Sequence, residues 1–143
     1  MRKIIMSAFV LALALLTFAH LAAAAETKLK ADLRGAAEVP GPGDPDGSGT
    51  VQVTLDSDKN EVCYDLTVTK VDDATAAHIH EGAAGKSGPV KVPFDAPKGG
   101  AAKGCKTADA AVVKDIMTHP DNYYVNVHST AYGNGAVRGQ LSK

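Results

Sequence analysis

Two runs of alternating apolar residues, joined by a short polar turn, confine this chain to a β-sheet architecture. Val51, Val53 and Leu55 take every second position of the first run, and Val62, Tyr64, Leu66 and Val68 of the second. A period of two puts all of these side chains on one face of an extended backbone, which a helix cannot do. Asp56-Ser57-Asp58-Lys59-Asn60 between them reads as a hairpin turn. The same alternation recurs at Leu29, Ala31 and Leu33, and further strands are expected at 76–80, 90–94, 123–128 and 136–141. Residues 40–47, Pro-Gly-Pro-Gly-Asp-Pro-Asp-Gly, can only be a loop, and 82–88 and 96–104 read as loops too. One helical stretch, 107–118, carries Ala111, Val112, Asp115 and Ile116 at helical spacing. Thr107 or Asp109 is placed to cap it, and His119-Pro120 to end it. The fold class expected is all-β, an antiparallel Greek-key β-sandwich with this one short α-helix.

The N-terminus predicts export. Met1-Arg2-Lys3 is followed by an almost wholly apolar run to Leu21, then Ala22-Ala23-Ala24-Ala25 and Glu26. That order is the signature of a cleavable signal peptide over residues 1–25, leaving a single domain over 26–143 and no integral membrane anchor after cleavage. Cleavage takes Arg2 and Lys3 from the 15 basic residues and nothing from the 16 acidic ones, so the remaining chain has a net charge of −3. A nucleic-acid partner is excluded on that balance, since phosphate binding needs a basic face. Localisation is expected to be periplasmic or extracellular. There the only two cysteines, Cys63 and Cys105, are most simply one disulfide.

Three histidines of the exported part carry the candidate chemistry. His78 and His80 flank Ile79, so on a strand both imidazoles share one face. His128 ends a second alternating strand, on the face of Tyr124 and Asn126. If the two strands are neighbours, three imidazoles converge and suit copper or zinc with a position left open. Each imidazole would then need an acceptor to set its tautomer, for which Glu81, Asn126 and backbone carbonyls are available. The competing reading is structural: histidines that tie loops across the end of the fold. His119 reads as a cation at the helix C-terminus. Asp44, Asp46, Asp56 and Asp58 lack the spacing of a calcium loop and read as turn formers. No nucleophile elbow, phosphate loop or His-Glu-x-x-His motif occurs.

Four ordered motifs resemble a known family. They are Ala77-His78-Ile79-His80-Glu81-Gly82-Ala83-Ala84-Gly85 with Gly88-Pro89-Val90, Tyr123-Tyr124-Val125-Asn126-Val127-His128, Gly135-Ala136-Val137-Arg138-Gly139-Gln140-Leu141, and the opening Leu33-Arg34-Gly35-Ala36-Ala37-Glu38-Val39-Pro40. Together with the cysteine pair they are similar to the CHRD domain in its exported bacterial form. A looser similarity links His78/His80, His128, Arg138 and the cysteine pair to copper,zinc superoxide dismutases, although the bridging histidine and the zinc cluster of those enzymes have no counterpart here. What this second resemblance implies is copper as the metal, on His78, His80 and His128, with Arg138 as a guiding cation. The function expected is a non-enzymatic, copper-preferring metal-binding module. A dismutase-like redox enzyme and a non-catalytic interaction domain are the alternatives.

Overall fold

The computed structural model describes residues 26–143, so the expected signal peptide, 1–25, lies outside the described residues. Eight strands form one antiparallel sheet: β1 (Glu26–Arg34), β2 (Ser48–Asp56), β3 (Glu61–Thr69), β4 (Ala74–Glu81), β5 (Val90–Phe94), β6 (Ala101–Thr107), β7 (Tyr123–Ser129) and β8 (Val137–Gln140). The order across the sheet is β5-β4-β7-β8-β1-β2-β3-β6. The all-β, antiparallel expectation holds, with the strands in a single sheet that curls into a nearly closed barrel. β8 joins its two halves through Arg138 opposite Arg34, and the Lys30–Ser142 bridge lies beyond it.

The alternation read from the sequence is the packing pattern. Val51, Val53, Leu55, Val62, Leu66, Ala77, Ile79, Val125 and Val127 point inward and are buried in one continuous core. The β2–β3 turn is built by Asp56, whose Oδ1 accepts from the backbone N–H of Asp58 and Lys59, both at 3.0 Å. At the open side of the barrel, side chains rather than a ladder close the gap. The Tyr64 hydroxyl donates to Asp95 at 2.8 Å, Lys106 Nζ donates to the other oxygen at 2.8 Å, and the Tyr64 and Phe94 rings stack.

Two elements differ from expectation. Residues 101–107, assigned mostly to a loop, form edge strand β6, and the helix α1 begins only at Ala110 (Ala110–Thr118). β6 has no apolar alternation to read, because none of its side chains is fully buried; pairing with β3 makes it a strand. Cys63 stands directly opposite Cys105 in that pairing, and the two form the expected disulfide. Asp109, rather than Thr107, caps α1, accepting from the N–H of Ala111 at 2.8 Å and of Val112 at 3.3 Å. The helix turns Val113 and Ile116 to the core; of the four residues expected at helical spacing, Ile116 is buried, Val112 packs partly against the core, and Ala111 is exposed. Among the described residues no helix is long and apolar enough to cross a membrane.

Candidate metal centre

Strands β4 and β7 are neighbours, although β5, β6 and α1 lie between them in sequence. Their register sets Ala76 opposite His128, His78 opposite Asn126, and His80 opposite Tyr124. With Ala77, Ile79, Val125 and Val127 committed to the core, the period of two turns His78, His80, Tyr124, Asn126 and His128 to the outside of the barrel. β8 extends the row, with Arg138 opposite Asn126 and Gln140 opposite Tyr124.

This outer face is not left to water. Segment 82–88 folds over it, held by Arg138 Nη2 donating to the Ala83 carbonyl at 3.1 Å and Gln140 Nε2 to the Gly82 carbonyl at 2.9 Å. The Gly88 N–H donates to the Tyr124 hydroxyl at 3.3 Å. Segment 35–47 covers the β8 side, where the Asp44 N–H donates to the Ala136 carbonyl at 2.8 Å, and it brings Glu38 over Gly135. The polar residues beneath are buried: Arg138 is 2 % exposed, Asn126 3 % and Glu38 5 %.

The three imidazoles come together. The His78 ring centroid lies 5.3 Å from that of His80 and 5.1 Å from that of His128. Each histidine offers a ring nitrogen within 4.8 Å of those of the other two. Two of the rings have a fixed tautomer: His80 Nδ1 lies 2.9 Å from the Gly88 carbonyl and His128 Nδ1 3.0 Å from that of Gly133. A carbonyl can only accept, so Nδ1 carries the proton in each and Nε2 keeps its lone pair. Those two Nε2 atoms, and Nδ1 of His78, are buried without a hydrogen-bond partner. A metal held at roughly 2.0–2.1 Å by three nitrogens draws them to about 3.5 Å apart, a closure that side-chain rotation can supply. The residues therefore fit a borderline transition metal: three neutral nitrogen donors, with carbonyl acceptors behind two of them.

A protein-family comparison supplies the context for this geometry. The CHRD domain model matches residues 29–141, all but the ends of the described chain. The chain belongs to the CHRD-domain family. No curated protein and no solved structure gives a match.

Within this CHRD domain the expected accessory residues are distributed unevenly. Asn126 lies among the buried groups, between His78 and Arg138 in the register. Glu81 does not join them. One residue beyond His80, it points to the other face of β4 and pairs with Lys91 at 2.7 Å. The Gly88 carbonyl, brought in by segment 82–88, takes the part given to Glu81. Arg138 is stacked over the Tyr124 ring at 3.4 Å, while the His80 ring lies parallel to the same tyrosine at 4.9 Å. Since β4 and β8 flank β7, Tyr124 separates Arg138 from His80. His119, at the end of α1, pairs with Asp115 at 2.9 Å, in keeping with its expected place at the helix terminus. The motif segments held two residues not singled out from sequence. They are Tyr124, the stacking plate, and Glu38, which sits in the opening motif just before the 40–47 loop.

Burial governs the electrostatics of this CHRD site. It holds the His78 imidazole down at about 4, helped by the neighbouring His128 and His80 charges. Burial lowers His80 also, against the Gly88 carbonyl, which favours its protonated form. For Glu38, burial pushes the carboxyl from 4.5 up to about 7, against the opposing pull of Arg138 and of the Asn126 amide. The consequences for stability have opposite signs. His78 is neutral in the folded state down to about pH 4, so the unfolded chain takes up its proton first and stability falls as pH drops below about 6.5. Glu38 keeps its proton in the folded state up to about 7, so the folded chain binds more protons and stability falls as pH rises from about 4.5 through 7. Glu38→Gln removes only the second effect. Relative to wild type, its unfolding free energy is expected to rise between pH 5 and pH 8, measured by urea denaturation; a difference independent of pH would refute a raised carboxyl at this position.

Proposed function

We propose that this CHRD domain is a metal-binding module, with copper the preferred ion, held by Nδ1 of His78, Nε2 of His80 and Nε2 of His128. The observation that carries this reading is a concentration of unsatisfied polar atoms. Among the described residues, and apart from Asp56, whose carboxylate is paired with Lys59 at 2.7 Å, the buried side-chain atoms without a partner belong to His78, His80, His128, Asn126, Glu38 and Arg138. Five of the six share the outer row of β4, β7 and β8, and the sixth, Glu38, is laid over that row by segment 35–47. A buried nitrogen or oxygen without a partner costs about 1–3 kcal/mol, so such a cluster is kept for a ligand rather than for stability. Histidines serving only to tie loops would leave three such nitrogens unexplained.

Binding, rather than redox turnover, is the function proposed. The ligand nitrogens are shielded from solvent, and Arg138 is buried behind Tyr124 rather than presented as a guide for an incoming anion. The donor set consists of imidazoles alone, which suits copper in either common oxidation state. The compartment proposed is the periplasm or the cell exterior, where the Cys63–Cys105 disulfide persists. The test is titration of the purified protein with Cu(I) and with Cu(II), wild type against His80→Ala. Loss of an outer residue behind a ligand costs roughly 10–100-fold in affinity, so loss of a ligand should cost at least about 100-fold. Equal and weak binding by both proteins would overturn the proposal.

A further inference from the structure

Three acids are buried in the described domain, and two have an evident structural use. Asp44 accepts from the N–H of Asp46 and Gly47 to form its own turn, and Asp56 builds the β2–β3 hairpin and pairs with Lys59. The Glu38 backbone N–H closes a turn on the Gly35 carbonyl at 3.1 Å, but its side chain forms no ion pair closer than 4 Å, and its Oε1 reaches no donor. The backbone is nonetheless shaped around it. A Cβ at position 135 would come within 2.3 Å of Glu38 Oε2, and one at position 43 within 2.8 Å of its Cγ. Gly135 also has φ of +138°, a conformation that other residues rarely adopt. An apolar side chain would fill this space without the desolvation cost, so the carboxyl calls for a use.

We propose that Glu38 is the counter-charge of the histidine site: a buried carboxylic acid that gives up its proton when a cation settles on the three imidazoles. The inference rests on the metal reading above. Three neutral imidazoles bring no negative charge, and the buried cation already on this face, Arg138, opposes a metal ion. The groups facing the Glu38 carboxyl are Arg138 from β8, Asn126 from β7 and the backbone N–H of Val39, while segment 82–88 brings only Ala84 and Gly85 to the same cavity. The imidazoles lie beyond Asn126, whose register partners are His78 and Arg138. Glu81 and Asp115 are committed elsewhere, to Lys91 and to the pair Tyr123 and His119. Burial keeps Glu38 protonated up to about 7 while no cation is bound, so the negative charge is withheld until the metal supplies a reason for it. The step is a proton transfer only. The Glu38 O–H bond breaks, the electron pair stays on the carboxylate, and the proton leaves to buffer.

The experiment is calorimetric titration with Cu(II) at about pH 6, repeated in buffers of different ionisation enthalpy to count protons released per ion. Wild type is expected to release about one proton more than Glu38→Gln. Infrared difference spectroscopy on wild type alone gives an independent reading, the loss of one protonated-carboxyl C=O stretch on addition of copper. Copper binding with equal proton release by the two proteins, or with no loss of the protonated-carboxyl band, overturns the inference and leaves the metal site standing. No copper binding by either protein overturns the metal reading itself.

Discussion

Replacing both cysteines, Cys63→Ser with Cys105→Ser, is expected to destabilise the domain by about 4 kcal/mol, through the loss of a cross-link between residues 42 apart in sequence. The effect should be local in structure although large in energy. β6 buries none of its side chains completely and joins the sheet along one edge only, against β3. Besides that ladder, it is held by the disulfide, by the exposed Lys103–Asp65 pair at 2.8 Å and by the Lys106–Asp95–Tyr64 contacts. Without the cross-link, the unfolded chain regains the freedom of the closed loop, while the folded sheet keeps its core. Urea denaturation measures the loss, and amide exchange should locate the added opening in β6 and segment 96–100. Copper titration should be unchanged, because β4 and β7 lie in the other half of the sheet. A loss below about 1 kcal/mol would show that the ladder alone holds β6.

How much of this was legible in the sequence depends on whether the information is local. The β2–β3 hairpin is a local object: alternation fixes both faces, and Asp56 forms the turn with its own neighbours. β6 is not. Its residues, Ala101-Ala102-Lys103-Gly104-Cys105-Lys106-Thr107, become a strand because β3 is beside them, and no side chain records that. The histidine site divides the same way. That His78 and His80 share a face follows from spacing, but their meeting with His128 needs β4 and β7 to be adjacent, which is a matter of topology. Glu81 is kept from the site by the same period of two that pairs His78 with His80, which sends the next residue to the opposite face. Glu38 could not have been found by periodicity. It stands in a turn-rich segment, and its burial depends on Gly43 and Gly135, the second of them nearly a hundred residues away.

Arg138 is where fold and site depend on each other most, and Arg138→Met should show it. The guanidinium makes three contacts that methionine cannot replace: a hydrogen bond to the Ala83 carbonyl, one to Gln140 Oε1 at 3.0 Å, and the stack on Tyr124. It is also the cation facing the buried Glu38. A hydrogen bond from a charged donor contributes about 1.5–3 kcal/mol. Glu38 is held protonated up to about 7 and is not a close partner, so the loss comes from the two hydrogen bonds of a charged donor and the stack, about 3 kcal/mol in urea denaturation near neutral pH. The segment that loses its anchor is 82–88, and that segment carries the Gly88 carbonyl that fixes the His80 tautomer. Copper affinity should therefore fall by roughly 10–100-fold although no ligand has changed. Arg138→Lys restores a positive charge near Glu38 but not the planar stack or the forked donors. It should recover part of the stability and little of the copper affinity. Amide exchange in wild type and Arg138→Met settles the route: faster exchange across 82–88, with β2 and β3 unchanged, is the expected pattern. Stability lost with copper affinity intact would mean that segment 82–88 is dispensable to the site and that His80 is oriented by its stack on Tyr124 alone.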